Sequence, residues 1–339
     1  MINITEELLS QRFDYTKKNE TGDLLLDELV DKCAEKYHKK KHSVCPLCAC
    51  TEVYLVSKKD RLDINVNILI CKKCNFIFND SLFSDDDLAE IYGNYIAKIW
   101  WNDSDLERTF TKKTSKDSYA NTRYNFIKKH LNDFNNIKNV VEIGASMGTN
   151  LVPFYNSGKK VVGFDFDEKY MKVGEKFGLE MKLGGDKAFF ESNLQPDLVI
   201  LSHVVEHIND IDNFFKNLYS HIDKESYIYI EVPGVLNSVR ERSKGYKEDG
   251  YISNNNFLGY LQFLHNYHFA AWHLIQFCER NGFEVLVYDE VVRLIIKKGD
   301  NKSNIDFDID MLEYLKNVEN DYQSLRDKSV RFLKRVLGK

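Results

Sequence analysis

Apolar positions recur along this chain at two spacings, and the change between them divides it. Over residues 22–38, Leu25, Leu26, Leu29, Val30, Cys33 and Tyr37 return every three or four positions, the period of one helix face. Ser84 before Asp85, Asp86 and Asp87 marks another helix start. A serine oxygen there can accept an orphan N–H of the first turn, and carboxylates favour the positive end of the helix dipole. A third helix is expected over 117–131. Between the first two, the pattern alternates with strand period: Val53 and Leu55, then Ile64, Val66, Ile68 and Ile70. From Val140 onward, the short β-branched runs 140–143, 160–164, 198–201 and 227–232 alternate with helical stretches, which predicts βαβ units and a mostly parallel sheet. The runs 284–288 and 291–297 leave no room for a helix between them, so they predict an antiparallel hairpin closing that sheet. Beyond Met311, residues Leu315, Val318, Tyr322, Leu325, Phe332 and Val336 form a helical seam. The expected division is a helical segment over 1–42, a cysteine-bearing hairpin over 43–80, an α/β domain with a helical lead-in over 81–298, and an amphipathic helix over 299–339.

Composition narrows the class. At 339 residues, 43% apolar and 29% charged, the chain is long enough for more than one core and too apolar for disorder. A formal charge of −5 gives no global positive field for nucleic acid. No run approaches the ~18 apolar residues of a membrane span, and no secretion signal is visible at the amino terminus, so the chain reads as cytoplasmic. Its end, Arg326 to Lys339, is strongly basic. That tail can pack within the chain, form a homodimer seam or touch an anionic membrane surface at its inner face.

Seven cysteines without a signal argue against a disulfide framework. Four of them form Cys45-Pro-Leu-Cys48 and Cys71-Lys-Lys-Cys74, two tight turns that together offer the tetrahedral thiolate set of Zn²⁺. With the hairpin alternation between them, the pattern predicts a zinc ribbon whose closed ion is structural. Cys50 reads as a bystander, and Cys33 and Cys278 as buried helix cysteines.

The run Val140-Val-Glu142-Ile-Gly144-Ala145-Ser146-Met-Gly148 carries a strand into a small-residue turn. It does not fit the dinucleotide pattern, because Ser146 and Thr149 stand where glycines are required. It resembles motif I of class I S-adenosylmethionine-dependent methyltransferases, with Ser146 in place of the usual glycine. Asp165 ends the next strand, where an acid can accept ribose hydroxyls. The segment Asp197 to Ile208, with His203-Val-Val-Glu206-His207, resembles the fourth-strand signature of small-molecule and sugar methyltransferases. His265-Asn-Tyr-His268-Phe269 and Gly282-Phe-Glu-Val285 resemble later segments of the same group. The whole, over 43–298, is similar to bacterial surface-glycan and antibiotic-sugar methyltransferases that carry an amino-terminal zinc ribbon.

That resemblance implies a Rossmann-like seven-stranded sheet and S-adenosylmethionine held by Glu142, Gly144, Ala145, Ser146, Gly148, Asp165 and Ser202. On the acceptor side it implies His203 and His265, with His265 favoured as the base and His203 as the orienting group. Positions 203, 206 and 207 would lie on one helical face, a partial match to a metal triad of ubiquinone-pathway O-methyltransferases. Residues 234–266 are expected to form a lid whose Asn254-Asn-Asn, Gly259 and Tyr260 face a sugar, and Tyr92, Tyr95, Trp100 and Trp101 could stack one. The C-methylating deoxysugar enzymes carry Tyr-His-Glu-His where this chain reads Gln262-Phe263-Leu264-His265, which favours O-methylation. The expected activity is therefore O-methylation of a sugar hydroxyl, on a nucleotide-sugar or a glycan. Its rivals are sugar C-methylation and, in another class, an RNA-binding or scaffold module with a degenerate methyltransferase fold.

Overall fold

The β-branched runs become the interior of one sheet because each finds a parallel neighbour. In a computed structural model, residues 3–7, 20–37, 39–96, 98, 105–236, 257–289, 291–303 and 310–320 are described. Trp100, Trp101, the asparagines at 254–256 and the basic tail lie outside them. In chain order the strands are β1 (Asn3–Glu7), β2 (Lys39–Lys41), β3 (Glu52–Lys59), β4 (Asn65–Cys71), β5 (Ile77–Asn79), β6 (Ser81–Phe83), β7 (Asn139–Ile143), β8 (Lys160–Asp165), β9 (Glu180–Leu183), β10 (Leu198–Ser202), β11 (Tyr227–Glu231), β12 (Tyr267–His268), β13 (Phe283–Tyr288) and β14 (Arg293–Lys298). Two compact units divide them. The first gathers Met1–Trp101, Gly234–Ala270 and Asp306–Lys339, and the second Asn102–Pro233 and Ala271–Ile305. The boundary expected at 80/81 falls inside the first unit, which also contains the stretch expected as a lid.

The second unit holds a seven-stranded sheet in the order β13-β14-β11-β10-β7-β8-β9. Strands β7 to β11 run parallel, and β14 is antiparallel to both β11 and β13, so the predicted hairpin closes one edge. Every residue of β10 is buried, as a strand covered on both faces requires. At its start, Asp197 accepts the N–H groups of Lys138 (2.7 Å) and Asn139 (2.8 Å), which ties β10 to β7 in register. Asp167 and Asp210 cap the helices Glu168–Lys176 and Ile211–His221. Strand β9 has no β-branched residue and no sequence signal; pairing with β8 makes it a strand. The second hairpin strand starts at Arg293, not at 291. Asp289 Oδ1 accepts the N–H groups of Val291 and Arg293 (both 3.1 Å), and Val292 is left-handed at φ 61°.

In the first unit, β3 and β4 form the expected hairpin, with Val53 opposite Cys71. The sheet runs β1-β3-β4-β5-β12, with β2 and β6 as a separate pair. Strand β1 corrects the expectation of a wholly helical first segment: it pairs parallel with β3. The lysines of β2 gave no strand signal, yet they pair with β6. Strand β12 returns from far along the chain to pair with β5, Tyr267 opposite Phe78. Helix Glu20–Glu35 buries Leu26, Leu29 and Cys33, the predicted stripe. Ser84 accepts the Asp87 N–H to cap the next helix. Residues 311–320 are helical, and Met311, Leu315 and Val318 are buried.

Candidate functional site

The four predicted metal-ligating cysteines meet in the first unit. Cys45 Sγ lies 3.7 Å from Cys74 Sγ, and Cys48 Sγ 3.5 Å from Cys71 Sγ. All four sulfurs fall within 4.8 Å of one another. A tetrahedral ion with metal–sulfur bonds of about 2.3 Å places its sulfurs ~3.8 Å apart, so the four residues fit such an ion. The two turns share the same pair of backbone bonds. Cys45 N–H donates to Cys50 C=O (2.8 Å) and Ala49 N–H to Cys45 C=O (2.9 Å); Cys71 N–H donates to Phe76 C=O and Asn75 N–H to Cys71 C=O (both 2.9 Å). Cys33 and Cys278 are buried in helices, apart from this cluster.

His265 also belongs to the first unit. It is buried, and its Nε2 is in contact with the side-chain amide of Gln262. Ser202, His203 and the predicted cofactor residues all lie in the second unit.

There the strand order reverses at β7: the chain proceeds through β8 and β9 on one side and through β10 and β11 on the other. In open α/β sheets a ligand sits beyond the carboxyl ends of the strands at such a reversal. Glu142 and Gly144 stand at the end of β7, Ser202 and His203 at the end of β10, Glu231 at the end of β11. Gly144 and Gly148 are left-handed, at φ 71° and 74°. A Cβ on Gly144 would lie 2.7 Å from Val204 Cγ2, and one on Gly148 2.7 Å from Leu179 Cδ1, so both positions need glycine. Ser146, where the resemblance departs from glycine, is itself left-handed at φ 50°. Gly144 and Ala145 both donate to Phe164 C=O at 2.9 Å, which pins the loop to β8.

Asp165 does more than the sequence suggests. Oδ2 accepts Ser146 N–H (2.6 Å) and Oδ1 accepts Asp167 N–H (2.9 Å), so one carboxylate braces the two loops beside the cofactor position. Burial raises its pKa, and these N–H bonds oppose the rise. Glu142 is 1% exposed, and burial pushes its carboxyl up to about 8 against the hydrogen bond from Asn150 Nδ2 (2.6 Å) to Oε1. Its Oε2 is buried without a hydrogen-bond partner.

A charged network completes the site. Arg123, from helix Tyr119–His130, donates Nε to Glu231 Oε2 (2.8 Å) and Nη2 to Oε1 (2.7 Å). Its Nη1 donates to Asn150 Oδ1 (3.1 Å), and Nη2 lies 3.4 Å from His203 Nε2. The Tyr229 hydroxyl donates to Glu231. Burial works against charge on Glu231, but His203 and Arg123 hold its carboxyl far below the usual range. His203 is left-handed at φ 58° with its side chain 48% exposed. Its Nδ1 lies 3.4 Å from Glu206 Oε1 and its Nε2 3.7 Å from Glu231 Oε1. Partial burial opposes the imidazolium, but the two carboxylates outweigh it and raise the ring to about 9. The two carboxylates thus favour a proton on the His203 ring, while the Arg123 guanidinium, a donor only, faces its Nε2. The expected single helical face for 203, 206 and 207 is not formed, because His203 precedes a 3-10 turn over Val205–His207. Glu206 Oε1 nevertheless lies within 3.7 Å of both rings.

A methyltransferase-domain family model matches residues 105–288, more than half of the chain. The chain belongs to this family. With the seven-stranded Rossmann-like sheet, that makes it an S-adenosylmethionine-dependent methyltransferase. A search of curated proteins returned no match. Among solved structures it is similar to an S-adenosylmethionine-dependent methyltransferase of Listeria monocytogenes (18% identity, 53% of this chain and 99% of that one, TM-score 0.39). It is also similar to magnesium protoporphyrin IX methyltransferase of Synechocystis PCC 6803 (13% identity, 63% and 100%, TM-score 0.43). Such values carry neither substrate nor mechanism across.

The methyltransferase's own residues fit its cofactor. Glu142 Oε2 is a buried polar atom with no hydrogen-bond partner, and Asp165 uses two of its roughly four acceptor sites on Ser146 and Asp167, leaving capacity for a ribose hydroxyl. Phe166, beside it, is 76% exposed and offers a flat apolar face to a base. Sequence reading missed Phe166, Arg123, Asn150 and Glu231. Glu231 had a signal, an acid at the carboxyl end of a predicted strand. Arg123 had none, being one polar residue among many on an amphipathic helix.

Proposed function

We propose that this methyltransferase transfers a methyl group to a hydroxyl oxygen of a sugar in a bacterial surface-glycan pathway, on a nucleotide-sugar or within a glycan. One observation carries the choice of oxygen over carbon. Where the C-methylating enzymes have ionisable groups, Phe263 and Leu264 are buried apolar residues, leaving His265 alone in that run. Methylating the carbon beside a ketone requires removing a C–H proton and returning one; methylating an alcohol needs a single proton acceptor. The cofactor supplies an electrophilic methyl on a sulfonium. His203, half-exposed between Glu206 and Glu231, hydrogen-bonds the acceptor and orients it. The acceptor's proton is assigned to His265 in this reading. Cys45, Cys48, Cys71 and Cys74 hold zinc, which with four sulfur ligands serves folding and not catalysis.

Labelled S-adenosylmethionine and a panel of nucleotide-sugars test this reading: the product should carry an O-methyl group. A C-methyl product would establish the rival chemistry, while tight RNA binding without cofactor binding in calorimetry would favour the scaffold reading. Removing a general base costs roughly 10²–10⁴ in rate. His265→Ala should lower kcat by that range with cofactor affinity intact, whereas His203→Ala should chiefly raise the acceptor KM. Wild-type turnover in His265→Ala with none in His203→Ala would reverse the two roles.

A further inference from the structure

The turn joining β3 to β4 grips a distant stretch of chain at three successive residues. Asp60, 1% exposed, accepts the N–H groups of Leu62 (2.8 Å) and Ile64 (3.0 Å) at Oδ1 and that of Phe263 (2.9 Å) at Oδ2. The Arg61 backbone N–H donates to Leu261 C=O (3.1 Å), and its Nη2 donates to Gln262 Oε1 (2.9 Å). From β5, Asn79 donates its Nδ2 to Phe263 C=O and its N–H to Asn266 C=O (both 3.0 Å). His265 lies within this grip, its Nε2 against the Gln262 amide.

The direction of that last bond follows from donor chemistry. A guanidinium carries five donors and no acceptor, so the Gln262 atom facing Arg61 must be the carbonyl oxygen. The amide NH₂ then faces His265 Nε2. An NH₂ group only donates, so Nε2 must present its lone pair, and a neutral imidazole then carries its proton on Nδ1. We propose that Arg61 is a positioning residue: through Gln262 it fixes His265 with the proton on Nδ1 and the lone pair on Nε2. The cysteine-bearing hairpin thereby does more than hold a metal, since its own turn sets the state of a histidine two hundred residues away. If His265 is the proton acceptor, as proposed above, its one free lone pair is at Nε2, so the Gln262 amide must release that lone pair before Nε2 forms the new N–H bond and the acceptor's O–H bond breaks. That last step rests on the proposed function; the tautomer does not.

Long-range proton–nitrogen correlation spectra of the full-length protein, with isotope-labelled histidine, report which ring nitrogen is protonated. The His265 signals are assigned by their loss in His265→Ala. Wild type should show the Nδ1–H form. Arg61→Ala frees the amide to flip and should convert that form into a mixture, and Arg61→Lys, which keeps a donor, should restore it at least in part. Gln262→Leu leaves Arg61 in place and should also lose the single form, so the test survives if Arg61→Ala does not fold. A proton on Nε2 in the wild type, or an unchanged tautomer in both Arg61→Ala and Gln262→Leu, overturns the proposal. Loss of the tautomer with unchanged turnover would uphold the relay and remove His265 from catalysis.

Discussion

The two sheets are built on different principles. The sheet of the second unit is held by its own strands: five parallel neighbours in continuous register, with β10 buried on every residue. The sheet of the first unit adds strands from distant chain segments, β1 and β12, to the consecutive strands β3, β4 and β5, and its β5–β12 edge pairs only two residues. Beyond the β3–β4 ladder, its distant segments are joined by a few side chains: Asp60 and Asn79 reaching across to 261–266, an aromatic group of Phe76, Phe78, Tyr267 and Phe269, and four cysteines. A unit held by ladders spreads its stability over many residues, while one held by side chains concentrates it. Single substitutions should therefore cost most in the first unit.

The sharpest way to break that contrast is at the metal. Apparent binding energies of structural zinc are about 10–16 kcal/mol in small zinc modules, comparable to the ~5–15 kcal/mol of a whole domain. Cys71→Ser is expected to lose the metal and unfold the first unit while the second still binds S-adenosylmethionine. Metal analysis and hydrogen exchange resolved by segment check both halves. A metal-free preparation with full amide protection over β3 and β4 would show that the cysteines are not what holds this sheet.

In the second unit the largest single effect should be electrostatic and pH-dependent. Burial raises Glu142 from an ordinary 4.5 to about 8. Between those values the folded state holds a proton that the unfolded state has released, so stability falls as pH rises. Each pKa unit is worth about 1.4 kcal/mol, so the loss is on the order of a few kcal/mol. Glu142→Gln keeps an oxygen for Asn150 and never ionises. It should be more stable than wild type at pH 8 and show a flatter stability profile between pH 5 and 8. Its remaining slope should combine His203, whose contribution is full below about 6.5 and lost as pH passes about 9, with Asp60, raised by burial to about 6, and His268, whose buried neutral ring gains stability as pH rises to about 6.5. Parallel wild-type and variant slopes in denaturant titrations would mean that Glu142 is ionised in the folded protein.

Asp165→Ala comes next. Charge-assisted hydrogen bonds are worth roughly 1.5–3 kcal/mol, which predicts a 10- to 150-fold loss of cofactor affinity. Because Asp165 also braces Ser146 and Asp167, the variant should lose stability even without ligand. Calorimetry and unliganded thermal unfolding separate the two effects. An unchanged dissociation constant would assign the ribose to another residue.

The same contrast governs what could be read from sequence. The second sheet was legible because its strands are apolar runs, and periodicity detects those directly. The exception, β9, is a strand by pairing alone. The cysteine turns were legible from spacing, and Gly144, Gly148 and Asp165 from their place after two strands. In the first unit, β2 consists of lysines and β12 of two residues, so neither carries a periodic signal. The Asp60–Phe263 and Arg61–Gln262 bonds link residues about two hundred positions apart, and no local pattern announces them. The raised pKa of His203 was hidden for the same reason: Glu231, one of the two carboxylates that raise it, lies on another strand.

The smallest prediction tests whether the two cysteine turns, alike in their backbone hydrogen bonds, are equally strained. Ala49 and Asn75 follow the second cysteine of each turn, and both sit at φ 59°. A left-handed backbone costs an ordinary L-residue about 1–2 kcal/mol, while asparagine adopts it more readily through local hydrogen bonding and glycine without penalty. Against this, glycine loses ~0.5–1 kcal/mol more conformational entropy on folding than alanine. Ala49 is exposed, so its methyl group has little packing to lose. Ala49→Gly should therefore stabilise the first unit by a few tenths to about 1 kcal/mol, whereas Asn75→Gly should be neutral or slightly destabilising. Denaturation of the two variants side by side reads the difference. Equal shifts in the same direction would mean that metal binding, and not backbone preference, sets the conformation of both turns.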